Sequence, residues 1–379
     1  MSILEIPSKK KSIIACGIMT GTSVDGIDIA LVRFTESDNN HDFEMISFDC
    51  FNLSTEAKEL IEKAIREDCR TSEISKLNFL LSKEYAQAIE KLCKNSSFDQ
   101  KKIDVVGVHG QTVWHEPESG HTLQLCNLSN LANSTGNVVI GDFRSGDIAL
   151  GGQGAPLVPI FDHAFLSDHI NDVIALNIGG IANITYLPKG SGIEDLQAFD
   201  TGPGNTWIDL AMREFFDKKY DKNGETARKG KIIDTLFEKL ITIEFIKREP
   251  PKSTGRELFS KKNFENIIDM SWEKVDILRT LTEFTAWSIA ENMKMIGTED
   301  SIVYVSGGGA KNDFLIERLS EYLHRSKIKS IAEIGINPDA KEAICFAYLA
   351  FRAMKGLESN IPSVSGAEKS TILGQIALP

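Results

Sequence analysis

The run SIIACGIM (residues 12–19), the turn TGTSVDG (20–26) and the run IDIALVRF (27–34) decide the fold. Two short apolar runs rich in β-branched residues, joined by a polar turn with glycine, read as a hairpin that opens a sheet. Glu44 to Cys50 reads as a third strand. Residues 55–95 then carry helical periodicity, with Ala57, Leu60, Ile61, Ala64 and Ile65 among the apolar positions. Val105-Val106-Gly107-Val108 reads as a buried strand running straight into His109-Gly110-Gln111-Thr112.

The second half opens in the same way. Val173 to Asn177, then Ile178-Gly179-Gly180-Ile181-Ala182-Asn183, then Ile184 to Leu187 are again strand, glycine turn and strand. Gln197-Ala198-Phe199 leads into Asp200-Thr201-Gly202-Pro203-Gly204-Asn205 and a helix beginning near Thr206. An amphipathic helix over 272–296 reads as core packing, as does a last helix over 339–354. Between them a strand at 302–305 feeds Ser306-Gly307-Gly308-Gly309 and a helix from about Asn312. The expected class is therefore α/β, a duplicated unit without a residue-level period. A chain of 379 residues exceeds what one core usually organises. The expected domains run over 1–168 and 169–379, with the boundary near 165–172 after a helix over 161–166. The basic and polar stretch 217–231 reads as a surface loop leading to a helix.

Composition narrows the function classes. A net charge of −12 argues against nucleic acid or an anionic membrane surface as a general partner, since both select for basic faces. A local phosphate site needs only a few donors and stays open. The six cysteines lie far apart with no CxxC pair, which excludes a Cys-based structural zinc site and suggests reduced, buried thiols. The first residues lack a signal-type apolar region, and no apolar run approaches the roughly 20 residues needed to span a bilayer. A soluble, cytoplasmic protein is expected.

Gly21-Thr22-Ser23-Val24-Asp25-Gly26-Ile27-Asp28 is the most informative turn. Two glycines and two hydroxyls can present backbone N–H groups to phosphate oxygens, while Asp25 and Asp28 can hold Mg²⁺. The same composition also suits a plain exposed hairpin turn. Neither GxxxxGK[ST] nor a GxGxxG after a strand occurs, which sets aside a P-loop and a dinucleotide cofactor. The turns at Gly179–Asn183 and Gly307–Gly309 also follow strands, where glycine lets a backbone approach a ligand closely. Asp200, at a strand end, suits a general base or a helix cap. His109, Gln111 and Thr112 suit sugar contacts or ordinary packing. Arg144, between Asp142 and Asp147, suits a bidentate carboxylate clamp or a structural ion pair.

Together these segments resemble the anhydro-N-acetylmuramic acid kinase family. The stretches that carry the resemblance are GIMTGTSVDGIDIALV, HGQTVWHEP, GDFRSGDIALGGQGAPLVP, NIGGIANIT, FDTGPGNTWID, PPKSTGRE, LTEFTAWSIA, SGGGAKN, DAKEAICFAYLA and PSVSGAEKSTILG, in order along nearly the whole chain. The resemblance implies an actin/hexokinase/Hsp70-type fold, two RNase H-like domains with nucleotide and sugar in the cleft between them. It implies a reaction of 1,6-anhydro-N-acetylmuramate, ATP and water giving N-acetylmuramate 6-phosphate and ADP, in peptidoglycan recycling or scavenging. Asp200 matches the catalytic base. Gly21 to Asp28, Gly179, Gly180 and Asn183 match phosphate-side positions, with Gly202, Gly204 and Asn205 beside them. Gly307, Gly308, Gly309 and Asn312 match the adenosine side. His109, Gln111, Thr112, Asp142, Arg144 and Glu342 become the sugar contacts, Arg144 facing the lactyl carboxylate. ATP and Mg²⁺ are the implied cofactors, and a homodimer the implied assembly. One departure stands out: Ser145-Gly146 replaces basic residues that many members carry after the arginine, which puts fine sugar selectivity in doubt. A levoglucosan-type kinase and a non-catalytic ATP- or muropeptide-binding sensor are the alternatives, and the intact Asp200 and GTSVDGID disfavour the sensor.

Overall fold

A computed structural model of the chain describes residues 9–21, 24, 26–37, 40–255 and 258–379. The chain forms two compact units, one of Met1–Phe165 with Ala340–Pro379 and the other of Leu166–Asp339.

The first unit holds β1 (Ser12–Thr20), β2 (Ile27–Ser37), β3 (Asn40–Phe51), β4 (Val105–Glu116), β5 (His121–Leu125) and β6 (Val138–Gly141). The second holds β7 (Val173–Ile178), β8 (Ile181–Leu187), β9 (Gln197–Pro203), β10 (Ile302–Ser306) and β11 (Lys327–Ser330), and β12 (Gln375–Ala377) ends the chain in the first unit. The first sheet runs β12-β6-β4-β1-β2-β3, with β5 paired to β4, and the second runs β11-β10-β7-β8-β9. In the first, β1, β2 and β3 are antiparallel while β4 and β6 add in parallel. In the second, β7, β8 and β9 are antiparallel while β10 and β11 add in parallel. The duplicated unit read from the two glycine hairpins is thus present as a repeated strand order. The pairings by β5, β6, β11 and β12 were not foreseen, because strands this short carry little periodic signal.

In the first unit both sheet faces are covered. On one face the helices Thr55–Ile65 and Thr71–Asn95 bury Ala57, Leu60, Ile61, Leu81, Tyr85 and Ile89 with Ile18, Leu31 and Val106. The helical pattern over 55–95 is broken after Ile65, where Glu67 takes a left-handed φ of 58°. On the sheet the helix Lys341–Met354 packs against β1 and β4. Gly17 and Gly107 are register partners there. A Cβ on Gly17 would fall 1.8 Å from the Ala343 carbonyl oxygen, and one on Gly107 would fall 2.1 Å from that of Phe346. Helix backbone therefore rests on strand backbone. A buried ion pair, Lys341 Nζ to Asp162 Oδ1 at 2.7 Å, ties the start of this helix to the helix Pro159–Leu166. These contacts correct the expected domain of 169–379: residues 340–379 complete the first unit, because its sheet lacks that cover.

In the second unit the helix Lys274–Met295 packs through Ile289 and Met293 on Ile174, Leu176 and Val303, and through Leu281 and Phe284 on Trp207 and Phe259. Its buried side also carries polar residues. Thr285 Oγ1 donates to the Gly204 carbonyl at 3.0 Å, and Asn292 Nδ2 donates to that of Thr201 at 3.1 Å. The stripe read as core packing therefore also fixes the end of β9.

Two smaller expectations change. The 217–231 stretch is not simply surface loop: Asp221 is buried and accepts from the backbone N–H groups of Thr226 and Ala227, both at 2.9 Å. Cys16, Cys93 and Cys345 are buried free thiols, but Cys50, on β3, is exposed. Among the described residues no helix is long and apolar enough to cross a membrane.

The backbone contact at Gly107 should tolerate no side chain. Gly107→Ala should cost about 3 kcal/mol or more in urea unfolding, since the Cβ must displace helix backbone. Gly120→Ala, at a φ of 80° with open space around it, should cost only about 1 kcal/mol.

Candidate active site

The first unit brings several of the expected residues together. Arg144 donates from Nε and Nη2 to His109 Nε2 at 3.1 and 2.9 Å, and from Nη1 to the Gly154 carbonyl at 2.7 Å. His109 is buried, its ring 4.7 Å from that of Phe346 on the Lys341–Met354 helix. Burial first, and the Arg144 guanidinium second, hold its pKa well below the usual 6.5. Nε2 is thus a lone-pair acceptor on a neutral ring. Arg144 is itself desolvated, which brings its pKa down to about 10 against the attraction of Glu342. Glu342 opens to solvent, yet the protein crowded around it raises its pKa, and the Asp28 carboxylate raises it further. Asp28, Arg144 and Glu342 therefore share one electrostatic neighbourhood, reached from β2, the loop after β6 and the last long helix.

The turn between β1 and β2 is braced from beneath. Thr20 Oγ1 donates to Tyr85 Oη at 2.8 Å in a buried contact, and Val24 N donates to the Gly21 carbonyl at 3.2 Å. A Cβ on Gly26 would sit 2.9 Å from the Phe51 carbonyl oxygen. Ile27 is fully buried at the start of β2. Thr22, Ser23 and Asp25 lie outside the described residues. Among the described residues no three His, Cys, Asp or Glu side chains cluster as a metal site.

Other expected sugar contacts bond within the protein. Gln111 is buried and its amide donates to the Gly21 carbonyl at 3.4 Å, a brace for the turn. Thr112 Oγ1 accepts from Gln124 on β5 at 3.3 Å. Asp142 accepts from Ser145 Oγ at 2.5 Å and from Gln375 Nε2 at 2.6 Å. Asp147 is structural: its carboxylate accepts from the Gly154 N–H, Asn360 Nδ2 and Ser365 Oγ, each at 2.7 Å. That network joins the GGQGAP and PSVSG segments.

In the second unit the glycine turns meet. The N–H groups of Gly204 and Thr206 donate to the Gly180 carbonyl at 2.8 and 3.1 Å, and that of Asn205 donates to Gly179 at 2.8 Å. Asn205 Nδ2 adds bonds to the carbonyls of Ile178 and Gly179 at 3.1 and 3.0 Å. A Cβ on Gly309 would sit 2.3 Å from Ile178 Cγ2, and Gly307 has a φ of 80°. Gly202 has a φ of 144°, and a Cβ on Gly308 would meet only Asn205 Nδ2, at 3.8 Å. Asn312 caps the helix Asp313–Tyr322, its Oδ1 accepting from Leu315 N at 3.0 Å.

Asp200 lies on β9 as the register partner of Asn183 on β8. Its Oδ2 accepts from the Thr254 N–H at 2.8 Å, and its own N–H donates to the Lys252 carbonyl at 3.1 Å. The segment Lys252–Thr254 lies within PPKSTGRE. Its role beside Asp200 is a contact across more than forty residues, with no local signal.

Comparison with known proteins shows the family. The family model described as anhydro-N-acetylmuramic acid kinase matches residues 13–379. Anhydro-N-acetylmuramic acid kinase of Caldanaerobacter subterraneus subsp. tengcongensis is 38% identical over 395 aligned residues, covering 99% of each chain. That of Francisella tularensis subsp. novicida is 40% identical over 374, covering 95% of this chain and 97% of the relative. Among solved structures, component A of (R)-2-hydroxyglutaryl-CoA dehydratase from Acidaminococcus fermentans covers 90% of this chain and 99% of its own, at 13% identity and a TM-score of 0.46.

A buried neutral histidine leaves a pH signature. The unfolded chain protonates His109 near 6.5 while the folded one does not, so the unfolded state binds more protons below that pH. Stability from this group is present above the window and is lost as pH falls through it. His109→Gln, which keeps an acceptor for Arg144, should flatten the decline of the urea midpoint between pH 7 and 5.5, values chosen to bracket about 6.5. An unchanged slope would put the source elsewhere. The chain, matched from residue 13 to its end, belongs to the anhydro-N-acetylmuramic acid kinase family.

Proposed function

We propose that the protein is an ATP-dependent kinase that opens 1,6-anhydro-N-acetylmuramic acid with water and phosphorylates O6, giving N-acetylmuramate 6-phosphate and ADP. The observation that carries this reading is the full-length match to kinases of that name, at 38% and 40% identity, with Asp200 present and held by the Thr254 N–H.

Asp200 takes a proton from water as its oxygen bonds to C1 and the C1–O6 bridge breaks. O6 then forms a bond to the γ-phosphorus as the bond to the β–γ bridging oxygen breaks. Such a transfer needs positioning and electrostatic stabilisation more than covalent help. Backbone N–H groups around Gly21–Gly26 and Gly179–Asn183 are assigned to the phosphates, with the Gly202–Asn205 turn, whose Gly204 and Asn205 N–H groups bond to Gly180 and Gly179, beside them, and Gly307–Gly309 with Asn312 to the adenosine side. Arg144, its orientation set by His109 and the Gly154 carbonyl, is assigned to the lactyl carboxylate.

The residues also suit Mg²⁺. Burial raises the pKa of Glu342 and the Asp28 carboxylate raises it further, a like-charge repulsion that a cation beside Asp28 would relieve. Mg²⁺ typically takes one or two carboxylates and leaves its other positions to phosphate and water. Asp25 and Asp28 would hold it, and when bound it would neutralise charge on the transferring group. A cytoplasmic homodimer acting in peptidoglycan recycling completes the reading.

The test is ADP release with Mg-ATP and 1,6-anhydro-N-acetylmuramate, levoglucosan or N-acetylmuramate. Turnover with the first alone is expected. Preference for levoglucosan would overturn the cell-wall role, and silence with all three would favour a sensor. Asp200→Asn should lower turnover by about a hundred-fold or more while ATP affinity stays near wild type.

A further inference from the structure

Lys252 is buried, yet no carboxylate makes an ion pair with it among the described residues. The other buried lysine, Lys341, has Asp162 at 2.7 Å. Lys252 Nζ instead donates to the carbonyls of Phe245 and Ile246, at 3.1 and 3.0 Å, in the short helix Glu244–Lys247. It also lies over the rings of Phe245 and Phe199, 5.0 and 5.9 Å from their centroids. Phe199 directly precedes Asp200.

The same short segment grips Asp200 through its backbone, the Lys252 carbonyl accepting from the Asp200 N–H and the Thr254 N–H donating to Oδ2. Burying an ammonium without a counter-charge is costly, and a methylene chain of the same length would avoid that cost. A retained cation at this position therefore calls for a use of its charge. We infer that Lys252 is a positioning residue for the reaction: its ammonium pins residues 252–254 to the 244–247 helix, so that Thr254 aims the Asp200 carboxylate, and its charge keeps that carboxylate ionised until water approaches. The inference rests on the assignment of Asp200 as the base.

The charged groups around Lys252 are few. Burial lowers its pKa most, Arg248 lowers it further and Asp200 raises it, leaving it at about 8. Glu244, Lys247, Arg248 and Glu249, on the adjoining helix and turn, are all exposed. The ammonium form thus predominates at neutral pH and is lost as pH rises through about 8. Turnover should fall over the same range.

The experiment is the pH profile of kcat for wild type, Lys252→Met, Lys252→Arg and Asp200→Asn, with ATP affinity and thermal midpoint measured for each. Lys252→Met should lower kcat at neutral pH by about ten-fold and should lack the alkaline fall. Lys252→Arg, whose charge does not titrate in this range, should recover part of kcat and carry it past the point where wild type declines. A folded Lys252→Met enzyme with near wild-type kcat, or one that keeps the alkaline fall, overturns the inference. Should Lys252→Met fail to fold, an alkaline fall in Lys252→Arg matching that of wild type overturns it equally. Substantial turnover by Asp200→Asn would instead remove the assignment beneath it, whatever the lysine variants do.

Discussion

Helix Lys341–Met354 meets the first sheet with no side chain between them at Gly17 and Gly107, and the arrangement of the first unit follows from that approach. Interiors are close-packed, so a helix that descends to backbone contact fixes its rotation as well as its distance. The rotation places Phe346 against His109 and Lys341 against Asp162. It also brings Glu342, at the helix start, into the electrostatic reach of Asp28 and Arg144. Residues from 28 to 342 in sequence thereby act on one another because two glycines lack a Cβ.

The second unit uses glycine differently. Its turns at 179–180 and 204–205 are bonded to each other through main-chain and Asn205 amide groups, and Gly309 closes on Ile178. Carbonyl oxygens of Gly179 and Gly180 are thereby satisfied by protein. Rigid backbone suits electrostatic stabilisation, which depends on donors that need not reorganise during reaction. Thr285 and Asn292 extend the rigidity by tying β9 to the helix behind it.

Buried charge follows a consistent rule in both units. Glu283 is buried and desolvation pushes its pKa up, yet bonds from Arg318, Arg279 and Tyr322 outweigh that and hold it below the usual value. Asp147, equally buried, has three neutral donors. Both are structural and both have their lone pairs answered within the protein. Lys252 differs in that the groups bonded to its ammonium are carbonyl dipoles, with rings beside them and no carboxylate in an ion pair among the described residues, which is why it stands apart from these networks.

The sequence by itself determined the family and the duplicated α/β plan, whereas Asp200, expected at a strand end, lies in the middle of β9. The family and the plan rest on local features: alternating apolar runs, glycine turns and short motifs keep their meaning without knowledge of what lies opposite. Tertiary structure alone decided that residues 340–379 complete the first unit, since only the missing Cβ atoms of Gly17 and Gly107 show which sheet the last helix must cover. It also decided that Gln111, Asn205 and Asn312 brace backbone, and that Lys252 sits beside Asp200. Hydrogen bonds and desolvation depend on neighbours distant along the chain, and no periodicity or spacing records who those neighbours are.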